Sequence, residues 1–210
     1  MDKAEEMHEL IHKGVQELIA SKVNPKWYTE DLVKLKLAMC IEKAGYEVYP
    51  EINTERMFKL EGTKKRIDLF ITNPDKKEYG IEIAYPLAHN DQTLDGVFKI
   101  WVDIDYLVKL RDSRHQAQVD FSGYFLMVTN NDFFWNFPRS KRSPNTRLYN
   151  CIRSEGANKI EIIRIVTRKS KAVKATINIK HIYTTTWKPE KPEGADFPEG
   201  KFRYFIVEVK

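Results

Sequence analysis

Two acidic residues are the clearest candidates for chemistry in this chain, because each interrupts a short apolar segment. Asp68 lies within Arg66–Thr72 and Glu82 lies within Tyr79–Tyr85. Both segments are rich in β-branched and aromatic residues, which predicts strands, and the Asn-Pro-Asp sequence between them predicts a tight turn. Because side chains alternate between the faces of a strand, each strand places its aliphatic residues on one face and its carboxylate on the other.

A carboxylate in the middle of an apolar strand is costly to bury unless another group pairs with it. Two carboxylates on neighbouring strands also repel each other, and a divalent cation between them would remove both problems. Hard oxygen ligands suit magnesium or manganese. The alternative interpretation is that Asp68 and Glu82 each lie on a solvated face of the sheet.

The spacing of these acids resembles that of the PD-(D/E)XK nuclease superfamily, which includes restriction-endonuclease-like enzymes, archaeal Holliday-junction resolvases and RecB-type nucleases. The signature of that superfamily is an Asp on one strand and Glu-x-Lys on the next. Asp68 matches the first acid, and Glu82-Ile83-Ala84 matches the second, with alanine where lysine is expected.

The resemblance implies a metal-dependent DNA endonuclease of the restriction-like or mobile-element type, which hydrolyses phosphodiester bonds. The implied cofactor is Mg²⁺ or Mn²⁺, held by Asp68, Glu82 and the carbonyl of Ile83. Such an ion polarises the scissile phosphate and lowers the pKa of a bound water. In the resembled family, the helix before the first strand often carries a third acid near its start. Glu30 matches that acid in order along the chain, and Asp31 is the near alternative.

Ala84 leaves the expected ammonium absent from its usual place. Lys99, on the following helix, is the first candidate for a relocated catalytic cation. Lys64 and Arg66 are second choices, because they lie an even number of residues from Asp68 and are therefore expected on the same face of the strand. The alternative is a catalytically degenerate nuclease fold that serves as a nucleic-acid-binding or protein-interaction module.

The order of the predicted elements is also that of the nuclease core, αβββαβ. A helix begins after Thr29, which is a suitable N-cap. It is followed by a strand at Tyr46–Ile52, in which Glu51 could also face the metal, and then by the two strands that carry the acids. A helix from about residue 94 to residue 111 and a buried strand at Gly123–Thr129 complete the order.

Two finer expectations concern the elements around the acids. The helix after Thr29 is expected to bury an apolar stripe, and Gly45 is expected just beyond its end. The stripe consists of Leu32, Leu35, Ala38 and Met39. A short additional strand is expected at Met57–Leu60.

The predicted fold class is α/β (α+β), with a restriction-endonuclease-like core and a β-rich C-terminal extension. The expected organisation is an N-terminal helix at 1–26, the nuclease core at 27–130 and a basic extension at 131–210 that packs on the core. Strands are expected in the extension at Lys159–Thr167, Ala172–Trp187 and Phe202–Val209. The sequence leaves open whether they join the first sheet.

The net charge is +5, and the excess of basic residues is concentrated between residues 139 and 180. Such asymmetry favours nucleic-acid binding, although basic residues also simply solubilise a surface. The candidate DNA-binding residues are Lys64, Arg66, Trp135, Arg139, Lys141, Arg142 and Arg147. The aromatic stretch Phe133–Phe137 could stack on bases, cap the core, or form a contact surface for a protein partner.

The remaining expectations concern location and assembly. The sequence has no apolar run long enough for a membrane span and no secretory signal, so no membrane association is expected. Its two cysteines have no partner spacing, which favours a reduced, intracellular (cytoplasmic) protein. Cutting both strands of DNA commonly requires two copies of a single site, so a homodimer is expected.

Overall fold

The structure is a computed structural model that describes residues 3–21, 29–58, 66–86, 93–131, 134, 152, 156–159, 163–166, 173–177, 182–189 and 201–209. It confirms the α/β (α+β) class, with a mixed five-stranded sheet and helices before and within it. None of the helices in these ranges is both long enough and apolar enough to cross a bilayer.

The helices among these residues are α1 (Lys3–Ala20), α2 (Glu30–Lys43), α3 (Thr54–Phe58) and α4 (Thr93–Gln116). The strands of the large sheet are β1 (Glu47–Asn53), β2 (Arg66–Thr72), β3 (Glu78–Ala84), β4 (Phe121–Thr129) and β9 (Arg203–Val209). The remaining strands are β5 (Gly156–Lys159), β6 (Ile163–Val166), β7 (Val173–Ile177) and β8 (Ile182–Thr185).

The large sheet has the strand order β1-β2-β3-β4-β9, in which β2 is antiparallel to both β1 and β3. The predicted order of a helix, three strands, a helix and a strand is therefore confirmed for α2, β1, β2, β3, α4 and β4. The last strand of the chain, β9, joins this sheet beside β4, which answers the question that the sequence left open.

The other strands pair in two small antiparallel sheets, β5 with β8 and β6 with β7. The prediction of one strand over Ala172–Trp187 is wrong, because β7 and β8 are separate and have different partners. Alternation of residue types marks extended backbone but does not show where a strand changes its partner.

The chain divides into two compact units. The first comprises Met1–Tyr85, Leu107–Leu126 and Glu208–Lys210, and the second comprises Pro86–Tyr106 and Met127–Val207. In the second unit, the buried Trp187 donates a hydrogen bond from Nε1 to the carbonyl of Ile152 at 2.9 Å. All the residues of the candidate site described below, except Lys99, belong to the first unit.

Helix α2 begins and ends as the sequence predicts. The hydroxyl oxygen of Thr29 accepts a hydrogen bond from the amide of Leu32 at 3.2 Å, which satisfies one of the open amides of the first turn. Beyond the last turn, Gly45 adopts a φ of +91°, a left-handed conformation that glycine takes at low cost.

The face that α2 buries differs from the predicted one. Its buried residues are Val33, Leu37 and Ile41, whereas Leu35 and Met39 are exposed. Both sets recur at helical spacing, so periodicity alone allows either face to be buried. The difference matters for the site, because it rotates a different set of polar residues towards the sheet.

Helix α3 contradicts a second prediction. The strand expected at Met57–Leu60 is absent from the described part of that segment, where Thr54–Phe58 forms a short helix directly after β1. The ring of Phe58 packs against Phe70 of β2, with 5.3 Å between the ring centroids. A tertiary contact therefore overrides the β propensity of an aromatic residue here.

Candidate active site

The pairing of β2 with β3 brings the two predicted acids to neighbouring positions in the sheet. Phe70 lies opposite Gly80, and Leu69 lies opposite Ile81 in the last pair of the ladder. Continued by one residue, the same register brings Asp68 opposite Glu82, just beyond the last paired residues.

The Asp68 carboxylate accepts a backbone hydrogen bond where the pairing of β2 with β3 ends. Its Oδ2 accepts a hydrogen bond from the amide of Ile83 at 2.7 Å. A backbone carbonyl of β2 would take this amide if the regular pairing continued. The two strands therefore stop pairing at this point, and an acidic side chain bridges them.

Strand β1 brings a third acid to the same level of the sheet. Pro50 pairs with Leu69 and Ile52 pairs with Ile67, so Glu51 lies opposite Asp68 in the register. Glu51 has a φ of 54°, which is uncommon for a residue with a side chain. Glu51, Asp68 and Glu82 thus occupy neighbouring positions on three adjacent strands.

An ammonium group from α2 joins these acids. The Nζ of Lys34 lies 2.6 Å from Oε1 of Glu51 and 2.9 Å from Oδ1 of Asp68. It also lies 3.3 Å from Oε1 of Glu30, one turn earlier on the same helix. Asp68 is therefore held on both oxygens, by Lys34 on one and by the Ile83 amide on the other.

Burial makes this arrangement different from a solvated surface. Asp68 is 9% exposed and Glu82 is 3% exposed, so the interpretation that these acids lie on a solvated sheet face is wrong. Charges in such surroundings interact more strongly than charges in water.

Among the described residues, three carboxylates surround one ammonium at the site. Glu30, Glu51 and Asp68 each form an ion pair with Lys34. Glu82 adds a further, buried carboxylate on the adjacent strand.

The environment of Lys34 keeps it charged. Burial alone would lower the pKa of its ammonium, but hydrogen bonds to Glu51 and Asp68 and the charges of Asp68 and Glu30 outweigh burial and raise it. Lys34 therefore carries a full positive charge throughout the neutral range and does not accept a proton there.

Lys34 was not among the candidate site residues that the sequence indicated. With the predicted stripe of Leu35 and Met39 buried, Lys34 would point away from the sheet, whereas burial of Val33 and Leu37 turns it towards the carboxylates. One signal was available in the sequence. Glu30 and Lys34 are four residues apart, a spacing that pairs side chains on one face of a helix.

The other predicted site residues have different outcomes. Glu30 reaches the cluster through its ion pair with Lys34. Arg66 is exposed at the first residue of β2, and Lys99 is exposed on the part of α4 that belongs to the second unit. The rest lie outside the described residues: Lys64, Trp135, Arg139, Lys141, Arg142 and Arg147.

The donor atoms at the site fit a hard divalent cation. Asp68 and Glu82 provide carboxylate oxygens from neighbouring positions on β2 and β3. An extended residue directs its amide and its carbonyl to the same edge of the strand, so the carbonyl of Ile83 faces β2 as its amide does. The described residues contain no group of three or more His, Cys, Asp or Glu side chains arranged for a metal. Magnesium usually needs only one or two carboxylates, because it keeps several of its waters.

Comparisons of the chain with protein-family models, with curated proteins and with solved structures find no match. The function is therefore argued from the geometry of the site.

Proposed function

We propose that this protein is a metal-dependent DNA endonuclease of the PD-(D/E)XK type. One observation carries the proposal: the Asp68 carboxylate binds the amide of Ile83, the residue after Glu82, at the point where β2 and β3 stop pairing. That point combines two buried carboxylates with backbone groups that the ladder no longer uses. The order of α2, the three antiparallel strands, α4 and β4 supports the same assignment.

The roles of the residues follow from their positions. Asp68 and Glu82 would hold Mg²⁺ or Mn²⁺ together with the carbonyl of Ile83. The bound ion would stabilise charge on the phosphate and provide a nucleophilic water near neutral pH. The hydrogen bond from the Ile83 amide fixes the orientation of the Asp68 carboxylate, and the burial of Glu82 restricts the water that reaches it.

The substrate and assembly belong to the same proposal. The basic residues between 139 and 180 would bind the phosphates of DNA, which predicts binding that weakens steeply with salt. We propose that the protein acts inside the cell and that a homodimer cuts both strands.

Nicking of supercoiled plasmid tests the proposal. The protein is expected to nick DNA with Mg²⁺ or Mn²⁺ but not with Ca²⁺ or EDTA. Asp68→Asn should lower the rate roughly 1000-fold, because the loss of a metal ligand removes several kcal/mol of transition-state stabilisation. Asp120→Asn, which changes an aspartate of the first unit whose side chain is 67% exposed, is the matched control and should keep the wild-type rate. Equal rates for Asp68→Asn and the wild type would exclude this centre.

A second candidate function is a catalytically degenerate nuclease fold that only binds nucleic acid. Two observations favour it: Ala84 stands in place of the motif lysine, and both oxygens of Asp68 already have partners, Lys34 and the Ile83 amide. This candidate predicts salt-dependent DNA binding that is the same with and without Mn²⁺, and no nicking under any condition.

A further inference from the structure

We propose that Lys34 is the positioning residue that provides, from α2, the positive charge that Ala84 cannot provide from β3. This inference rests on the proposed nuclease function and names the residue that completes its centre. It differs from the sequence-based prediction, which assigned the relocated cation to Lys99.

The position of Lys34 carries the first step of the argument. Its ammonium lies 2.9 Å from Oδ1 of Asp68, whose other oxygen accepts the Ile83 amide at 2.7 Å. Ala84 is on the same strand face as Glu82 and is 5% exposed, so its methyl group fills the motif position without any charge. The positive charge at the acids therefore comes from a different element of the first unit.

The charge balance carries the second step. An incoming phosphodiester brings another negative charge to a cluster in which three carboxylates contact Lys34. An ammonium that is bound to Asp68 lowers this repulsion and keeps the carboxylate in one orientation. Removing a preorganised charge of this kind by mutation commonly lowers the rate by a factor of about 100.

The contacts of Lys34 define its role as one of charge and position. Its ammonium contacts Glu30, Glu51 and Asp68. An arginine at this position keeps a positive charge beside Asp68 and should therefore replace Lys34 in part.

The test compares four variants for Mn²⁺-dependent plasmid nicking and for Mn²⁺ affinity by calorimetry. Lys34→Met should lower nicking roughly 100-fold, Lys34→Arg should stay within about 10-fold of the wild type, and Lys34→Met/Ala84→Lys should regain part of the loss. Lys36→Met, which removes an exposed lysine from the same helix, is the matched control and should behave as the wild type.

The affinity measurement separates positioning from a merely structural role. Removing a positive charge from a cation site should leave Mn²⁺ binding unchanged or tighter, whereas collapse of the site should weaken it. Slow nicking with undiminished Mn²⁺ affinity in Lys34→Met, and an unchanged pH profile in Lys34→Arg, support the inference. Wild-type nicking by Lys34→Met, or loss of Mn²⁺ binding together with activity, overturns it.

The two proposals fail in different ways. A wild-type protein that does not nick DNA with Mg²⁺ or Mn²⁺ contradicts the nuclease function and, with it, the role of Lys34. A wild-type protein that nicks DNA, together with a Lys34→Met variant that nicks equally fast, contradicts the role of Lys34 alone.

Discussion

The two ends of β3 hold buried charges in opposite ways. At its first residue, Glu78 pairs with Arg114 of α4, one acid with one base. Near its last residue, Glu82 lies beside Asp68, whose cluster has three acids around Lys34. Both ends are parts of the first unit and both side chains come from the same seven-residue strand, so the difference lies in the partners that other elements provide.

The Glu78 end is balanced in charge and in hydrogen bonds. Arg114 binds both carboxylate oxygens of Glu78, each at 2.7 Å, in the bidentate geometry that suits a guanidinium. The guanidinium also lies over the ring of Phe58, 4.6 Å from its centroid. Regular pairing continues beside this end, where Glu78 lies opposite Thr72.

The comparison separates a paired arrangement of charges from the arrangement on which the proposed function rests. The Glu78 pair has matching charges, bidentate contacts and an intact ladder beside it. The Asp68 end has three carboxylates around one ammonium, an interrupted ladder and a strained residue at Glu51. Functional sites commonly retain such unfavourable features because the reaction needs them.

The largest expected effect on stability is at the balanced end. Arg114→Met leaves the Glu78 carboxylate, whose side chain is 15% exposed, without its guanidinium, and should lower the free energy of unfolding by about 2–3 kcal/mol. Urea denaturation followed by circular dichroism measures the change. Adding Glu78→Gln to this variant removes the uncompensated charge and should recover part of the loss. A loss below about 0.5 kcal/mol in Arg114→Met would show that the pair is not a structural anchor.

A smaller effect is expected when one acid is removed at the other end. Glu51→Gln should change the free energy of unfolding by less than about 1 kcal/mol, because Lys34 keeps Asp68 and Glu30 while one source of repulsion is lost. The same urea series compares it directly with Arg114→Met. A loss as large as that of Arg114→Met would mean that the acidic cluster is also a balanced structural network.

The smallest effect is a difference in pH dependence. The pKa of Lys34 is raised above its ordinary value of 10.5, so the folded state binds this proton more tightly than the unfolded state does. The stability that Lys34 contributes is therefore fully present below pH 10.5 and decreases as the pH rises towards the folded-state pKa.

Thermal unfolding of the wild type and of Lys34→Met tests this expectation between neutral pH and the alkaline limit of reversibility. The difference between their melting temperatures should stay constant below pH 10.5 and shrink above it. A difference that stays constant as the pH rises past 10.5 would show that the acids do not raise the pKa of Lys34.

Local sequence patterns predicted the strands that carry the acids with little error. Strand β2 has the predicted bounds, and β3 is displaced from its prediction by one residue. The position of each acid within a strand followed from the local run of β-branched and aromatic residues, which needs no information from distant residues. The N-cap of α2 and the glycine beyond its end were also local features, set by hydrogen bonding and backbone sterics.

The sequence by itself thus determined the order of the elements and the two carboxylates, because each depends on neighbouring residues. The tertiary structure decided that Lys34 and Glu51 join them. Which face of α2 is buried depends on what packs against it, and the position of Glu51 opposite Asp68 depends on the pairing of β1 with β2. Both are long-range choices among alternatives that local patterns leave nearly equal in energy, and only the packed core separates them.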